Sequence, residues 1–126
     1  MTTEQQINNM IGKKYDKDTY NCWDTIRELD DRVPTIDIVA KQFTAMKALK
    51  SGLASKLLYK EIYNFRDGDI IMLGNTEENL HHAGYYFKGL LVHNRPDSGV
   101  VAEQLDIVKL QFRFVRGFRF DGNNSK

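Results

Sequence analysis

The hydrophobic pattern of this chain changes period once, at Arg66-Asp67-Gly68-Asp69, and that break decides the fold class. Before it, apolar residues recur at helical spacing. After it, short apolar runs and alternating segments are separated by turn residues. Spacings of three and four build one stripe on a helix, whereas period two builds one face of a strand. Helices followed by strands within 126 residues predict one α+β domain, 1–126, with N-terminal helices packed on a C-terminal antiparallel β-sheet.

In the first half, Ile7, Met10 and Ile11 predict a short helix that ends near Gly12. Ile38, Val39, Phe43, Met46 and Leu49 predict another, from Thr35 to about Lys50. After Ser51-Gly52 the stripe resumes as Leu53, Leu57, Leu58, Ile62 and Phe65, giving an all-helical middle without an evident catalytic residue. Beyond the break, Ile70 to Leu73 is a short apolar strand, and further strands are expected at 81–87, 90–94, 99–103 and 112–120. Lys88-Gly89 predicts a tight hairpin, and Pro96-Asp97-Ser98-Gly99 a second turn. In the last strand Phe112, Phe114, Phe118 and Phe120 alternate on one face, with Arg116 interrupting. Arg113, Arg116 and Arg119 read as a polar strand face, Asp67 and Asp69 as turn residues, and 121–126 as a frayed tail.

Cys22 is the only cysteine. Asn21 before it is a good helix N-cap, and Asp24 falls in the first turn, where a carboxylate favours the positive helix end. Cys22, Ile26, Leu29 and Val33 share one helix face, so the thiol points towards whatever the helix packs on. Downstream, His81, His82 and His93 arrive on neighbouring strands. A thiol at a helix start with imidazoles from a sheet is the minimum set for cysteine-nucleophile chemistry. The helix end and a nearby imidazole are both expected to favour the reactive thiolate. The Cys22 amide at that open end is a natural oxyanion donor.

One cysteine excludes an intrachain disulfide and metal clusters built on several thiolates, and no metal or cofactor is expected. The formal charge of +1 argues against a dedicated nucleic-acid binder. Residues 1–10 lack the apolar core of a signal peptide, and no apolar run reaches membrane-spanning length. Synthesis in a reducing cytoplasm is therefore expected.

Several of these pieces, in order, resemble the NlpC-type cell-wall cysteine peptidases (the NlpC/p-sixty group), a compact papain-like fold. Gly12-Lys13-Lys14-Tyr15 is similar to the family's Gly-x-x-Tyr, Asn21-Cys22 stands at its Asp-Cys, and Arg66-Asp67-Gly68-Asp69-Ile70 resembles its Pro-Gly-Asp strand start. His82-Ala83-Gly84-Tyr85-Tyr86 resembles its His-x-Gly-x-Tyr strand, and His93 falls at its third polar residue. The likeness covers about half the chain. It departs from the family at Asn21 and at Trp23, where the family has Asp and Ser, and Trp after the cysteine looks like members encoded by tailed bacteriophages.

The resemblance implies that Cys22 attacks an amide carbonyl, that His82 rather than His81 is the acid–base, and that His93 orients it. It also implies that the Tyr15 hydroxyl adds to the oxyanion site, with Asn21 and Trp23 near the substrate. The implied substrate is a peptidoglycan stem peptide, cut after a D-glutamyl residue. The implied setting is a phage tail or lysis component carried in the virion, with other tail proteins as partners. Two rival readings keep the fold: a tail-assembly module with a vestigial site, and a papain-like acyltransferase.

Overall fold

The computed structural model describes residues 1–31, 59–76 and 80–120. Two helices come first, α1 (Thr3–Met10) and α2 (Cys22–Leu29). Six strands follow: β1 (Tyr59–Ile62), β2 (Ile70–Gly74), β3 (His82–Phe87), β4 (Leu90–Arg95), β5 (Gly99–Gln104) and β6 (Phe114–Phe120). A one-turn helix α3 (Leu105–Val108) and a 3-10 turn (Lys109–Gln111) join β5 to β6. The strands form one antiparallel sheet in the order β1-β6-β2-β3-β4-β5. The α+β expectation holds at this level. Among the described residues no helix is long and apolar enough to cross a membrane.

The two faces of the sheet bury separate cores. On one face Ile7 and Met10 of α1 and Trp23 and Ile26 of α2 pack on Ile70, Met72, Ala83, Val92 and Val100. On the other, Leu105 and Val108 of α3 cover Ile71, Leu73 and Leu91. This explains why Ile70 to Leu73 is an unbroken apolar run: β2 is covered on both sides, and all four residues are fully buried. The β3–β4 hairpin turns at Lys88-Gly89, both at positive φ, as expected of a two-residue turn.

The Arg66–Asp69 turn is fastened by its own carboxylates. Buried Asp69 accepts from the Arg66 amide at 2.7 Å and from Arg119 Nε and Nη2, each at 2.9 Å. Asp67 accepts from the Lys88 amide at 2.6 Å, tying this turn to the β3–β4 hairpin.

Three expectations are corrected. Tyr59–Ile62 is a strand, not part of a helix, and pairs with β6 from Tyr59↔Phe120 to Ile62↔Gly117. Ile62 and Phe65 both approach Gly117, where a Cβ would meet them at 2.8 and 2.5 Å, so their helix-like spacing comes from a strand and the loop after it. Phe112 lies before β6, outside the phenylalanine stripe, and packs against the core on the α3 side. Arg116 and Arg119 do not form one polar face: Arg116 pairs with Glu61 and Arg119 with Asp69. The helices expected across 35–58 and the tail at 121–126 lie outside the described residues.

Candidate active site

Local chemistry fixes Cys22 at the first position of α2. Asn21 Oδ1 accepts from the amides of Trp23 (2.9 Å) and Asp24 (3.3 Å), while Asp24 Oδ2 accepts from the Asn21 amide (2.9 Å). This reciprocal capping box satisfies the helix end and leaves the chain no freedom at the residue between. Asn21 Nδ2 donates to the Lys17 carbonyl, so both the oxygen and the nitrogen of its side chain are engaged in structure. The expected substrate contact by Asn21 is corrected: it is a buried cap. Trp23, more simply read as core or groove lining than as a sugar platform, is buried in the helix-side core at 7% exposure and not at the substrate position the resemblance implies.

The helix is docked on β4, the strand that carries His93. Asn94, next to His93 on β4, donates from Nδ2 to the Tyr20 carbonyl (3.0 Å) and to Thr25 Oγ1 (3.1 Å). Gly12 and Lys13 pair with Val100 of β5 through two backbone hydrogen bonds of 2.9 Å, which carries the following loop and Tyr15 to the same end of the sheet. Cα register between β3 and β4 stops at Tyr85↔Val92. Beyond it their ends hold a cavity of about 290 Å³ whose lining includes Tyr15, Cys22, His82 and Phe112.

Behind this cavity runs a line of titratable groups. His82 Nε2 lies 2.7 Å from His93 Nδ1, and His93 Nε2 lies 2.7 Å from Glu103 Oε1 on β5. Arg95 Nε donates to the same Glu103 oxygen at 3.1 Å. Glu103 is held below the usual carboxylate range, since its bonds from His93 and Arg95 outweigh the opposing effect of burial. A carboxylate can only accept, so His93 carries its proton on Nε2 and accepts on Nδ1. His82 must then donate from Nε2. Its Nδ1 is left with a lone pair, the state required of a base. Burial lowers the pKa of His93, with Arg95 adding to the fall and Glu103 opposing it, so the neutral ring is favoured. Burial, then His93, His81 and Arg95, push His82 down to about 3. Phe112 stacks on the His82 ring at 5.9 Å and 9° between planes.

Burial works against the thiolate that the position of Cys22 at the helix start would favour. Burial pushes Cys22 up to about 11. The Ala83, Cys22 and Trp23 amides pull the other way, and Asp24 adds to the rise. A helix of two turns offers a partial charge, and here desolvation of a sulfur packed against the core outweighs it. Among the described residues no hydrogen bond joins Sγ to His82. Burial thus favours the neutral form of both the thiol and the His82 ring, which line one cavity. Tyr15 has its pKa raised by burial and then by the neighbouring Cys22, Asp16 and Asp18, which keeps the phenol protonated as a donor.

Tyr15, Cys22 and His82 thus line one cavity at one end of the sheet, with His93 hydrogen-bonded behind His82. His81 also lines the cavity, but its ring tilts against Phe112 at 5.8 Å, and the hydrogen-bonded line to Glu103 begins at His82. Glu103, Arg95, Asn94 and Phe112 were not among the expected site residues. Glu103 had a visible signal, a carboxylate closing the apolar run Val100-Val101-Ala102. Among the described residues no group of three or more His, Cys, Asp or Glu is arranged to hold a metal ion.

Two variants test this geometry. Gly84→Ala would put a Cβ 2.5 Å from Leu91 Cδ1 and 3.1 Å from His93 Cβ. Overpacking of this kind costs about 1–3 kcal/mol, so a lower urea midpoint and a displaced His93 resonance are expected. Glu103→Ala leaves the His93 Nε2 proton without its acceptor. If the site hydrolyses amides, as proposed below, this variant should lower kcat by about 10–100-fold and shift the pH–rate profile. An unchanged profile would reduce Glu103 to a surface charge. No protein-family model matches the sequence, and no curated protein matches it.

Proposed function

We propose that this chain is a papain-like cysteine hydrolase of the NlpC type that cleaves amide bonds in peptidoglycan stem peptides, in the setting of a phage tail or lysis apparatus. The observation that carries the hydrolase reading is the His82–His93–Glu103 line, with its two 2.7 Å contacts, ending in the cavity that also holds Cys22. The cell-wall substrate and the phage setting rest on the ordered motif resemblance.

In this reading His82 Nδ1 takes the thiol proton as Cys22 Sγ adds to the carbonyl carbon. His93 and Glu103 stabilise the imidazolium that forms. The Cys22 amide and the Tyr15 hydroxyl face the developing oxyanion. His82 then protonates the leaving amine and afterwards activates the water that releases the acyl group. Because thiol and imidazole are neutral at rest, the proton moves when the substrate carbonyl arrives.

The test is incubation of the pure protein with defined muropeptides, read by mass spectrometry, beside Cys22→Ala. New peptide termini with the wild type alone are expected. Absence of any cleavage product would overturn the proposal. The neutral thiol favours one alternative, a tail-assembly module whose site no longer reacts. That module would assemble equally well with Cys22→Ala.

A further inference from the structure

We propose that Arg95 is the anchor for a free carboxylate on the substrate, so that the site takes acidic peptides. The inference rests on the hydrolase reading above and adds to it the residue that recognises the charge of the substrate. Arg95 lines the same cavity as Cys22 and His82 and is the one side chain of fixed charge in that lining, which contains no carboxylate. Its charge is balanced on the Nε side by Glu103, which is not part of that lining, so the guanidinium is the charged group the cavity itself presents.

The hydrogen bonding of the guanidinium makes the point sharper. Nε is committed to Glu103, which holds the head group at a fixed angle. Nη1 and Nη2 both donate to one oxygen, Gln111 Oε1, at 3.2 and 2.7 Å. A neutral amide oxygen thus lies between the two Nη groups, where a carboxylate would place two oxygens and a full charge. Each Nη keeps one further N–H with no partner among the described residues. Gln111 is exposed and comes from the short 3-10 turn, so its side chain can swing away at little cost. We read Gln111 as a placeholder that keeps the fork open until an anion replaces it. Phe112, the next residue, stacks on His82 and lines the same cavity as Arg95 and Cys22.

The carboxylate could stand beside the scissile bond or at the peptide's C-terminus. Three substrates separate these sources: a defined stem peptide, the same peptide with the carboxylate next to the scissile bond converted to a primary amide, and the same peptide with its C-terminal carboxylate converted. A charge-assisted hydrogen bond of this kind corresponds to about 10–100-fold in kcat/KM, and one of the two amidated peptides should lose that much. In Arg95→Gln the preference should fall to near unity. Gln111→Glu, which fills the fork with a tethered carboxylate, should raise KM for the acidic peptide, and Gln111→Ala should keep the preference. Equal cleavage of all three peptides overturns the inference while leaving the hydrolase. A preference that survives Arg95→Gln, even at lower overall rate, overturns it as well. If no peptide is cut at all, the hydrolase reading fails and the carboxylate anchor fails with it.

Discussion

Replacing Cys22 with alanine is expected to remove muropeptide cleavage entirely, and replacing His82 with alanine should lower kcat by about 10⁴–10⁶-fold. The double variant should be no worse than Cys22→Ala alone. Nucleophile and base act as one unit in this scheme, and once the sulfur is gone there is no proton for the imidazole to take. His81→Ala supplies the contrast. That ring tilts on Phe112 and has no place in the line to Glu103, so its loss should cost less than tenfold. Thermal unfolding of each variant distinguishes a chemical defect from a folding one. His82 makes its 2.7 Å contact to His93 and a stack on Phe112, so some loss of stability is expected there. Cys22→Ala removes only a sulfur from the edge of the helix-side core. Comparable losses for His81→Ala and His82→Ala would show that the register inferred for β3 does not govern the chemistry.

Local rules account for much of what the sequence made visible. Asn21 and Asp24 announce the start of α2 because a capping box needs only residues three apart. Lys88-Gly89 announces the hairpin because few residue pairs accept positive φ twice. The hidden features depend on contacts between segments far apart in the chain. Ile62 and Phe65 keep helical spacing yet belong to a strand and its following loop, because Gly117 lets both approach β6. Glu103 joins the site only through the register His93↔Val101 and Leu91↔Glu103, which sequence alone does not supply. Trp23 follows the cysteine, a position that the family resemblance sets near the substrate and that plain packing sets in the core or the groove wall. One step along a helix turns a side chain by about 100°, and that step takes it into the core. The cavity charge was equally hidden, since Arg95 sits in a turn-flanking position that composition does not single out.

The same reasoning makes Cys22 a slow thiol at rest. With its pKa near 11, the thiolate fraction at pH 7 is about two orders of magnitude below that of an ordinary cysteine. Alkylation by iodoacetamide should therefore be slower than for a free thiol by about that factor, and the rate should climb tenfold per pH unit past pH 9. The sign follows from burial: desolvation penalises the charged form, so the neutral thiol persists to higher pH. His82→Ala should leave this profile nearly unchanged, because the hydrogen bond His82 makes is to His93 and, among the described residues, none joins it to the sulfur. An enzyme with a standing thiolate–imidazolium pair behaves in the opposite way, with fast alkylation at pH 6 that collapses when the histidine is removed. Fast alkylation of this chain at pH 6 would mean that the sulfur and the His82 Nδ1 already share a proton. The substrate would then have no part in charging the nucleophile.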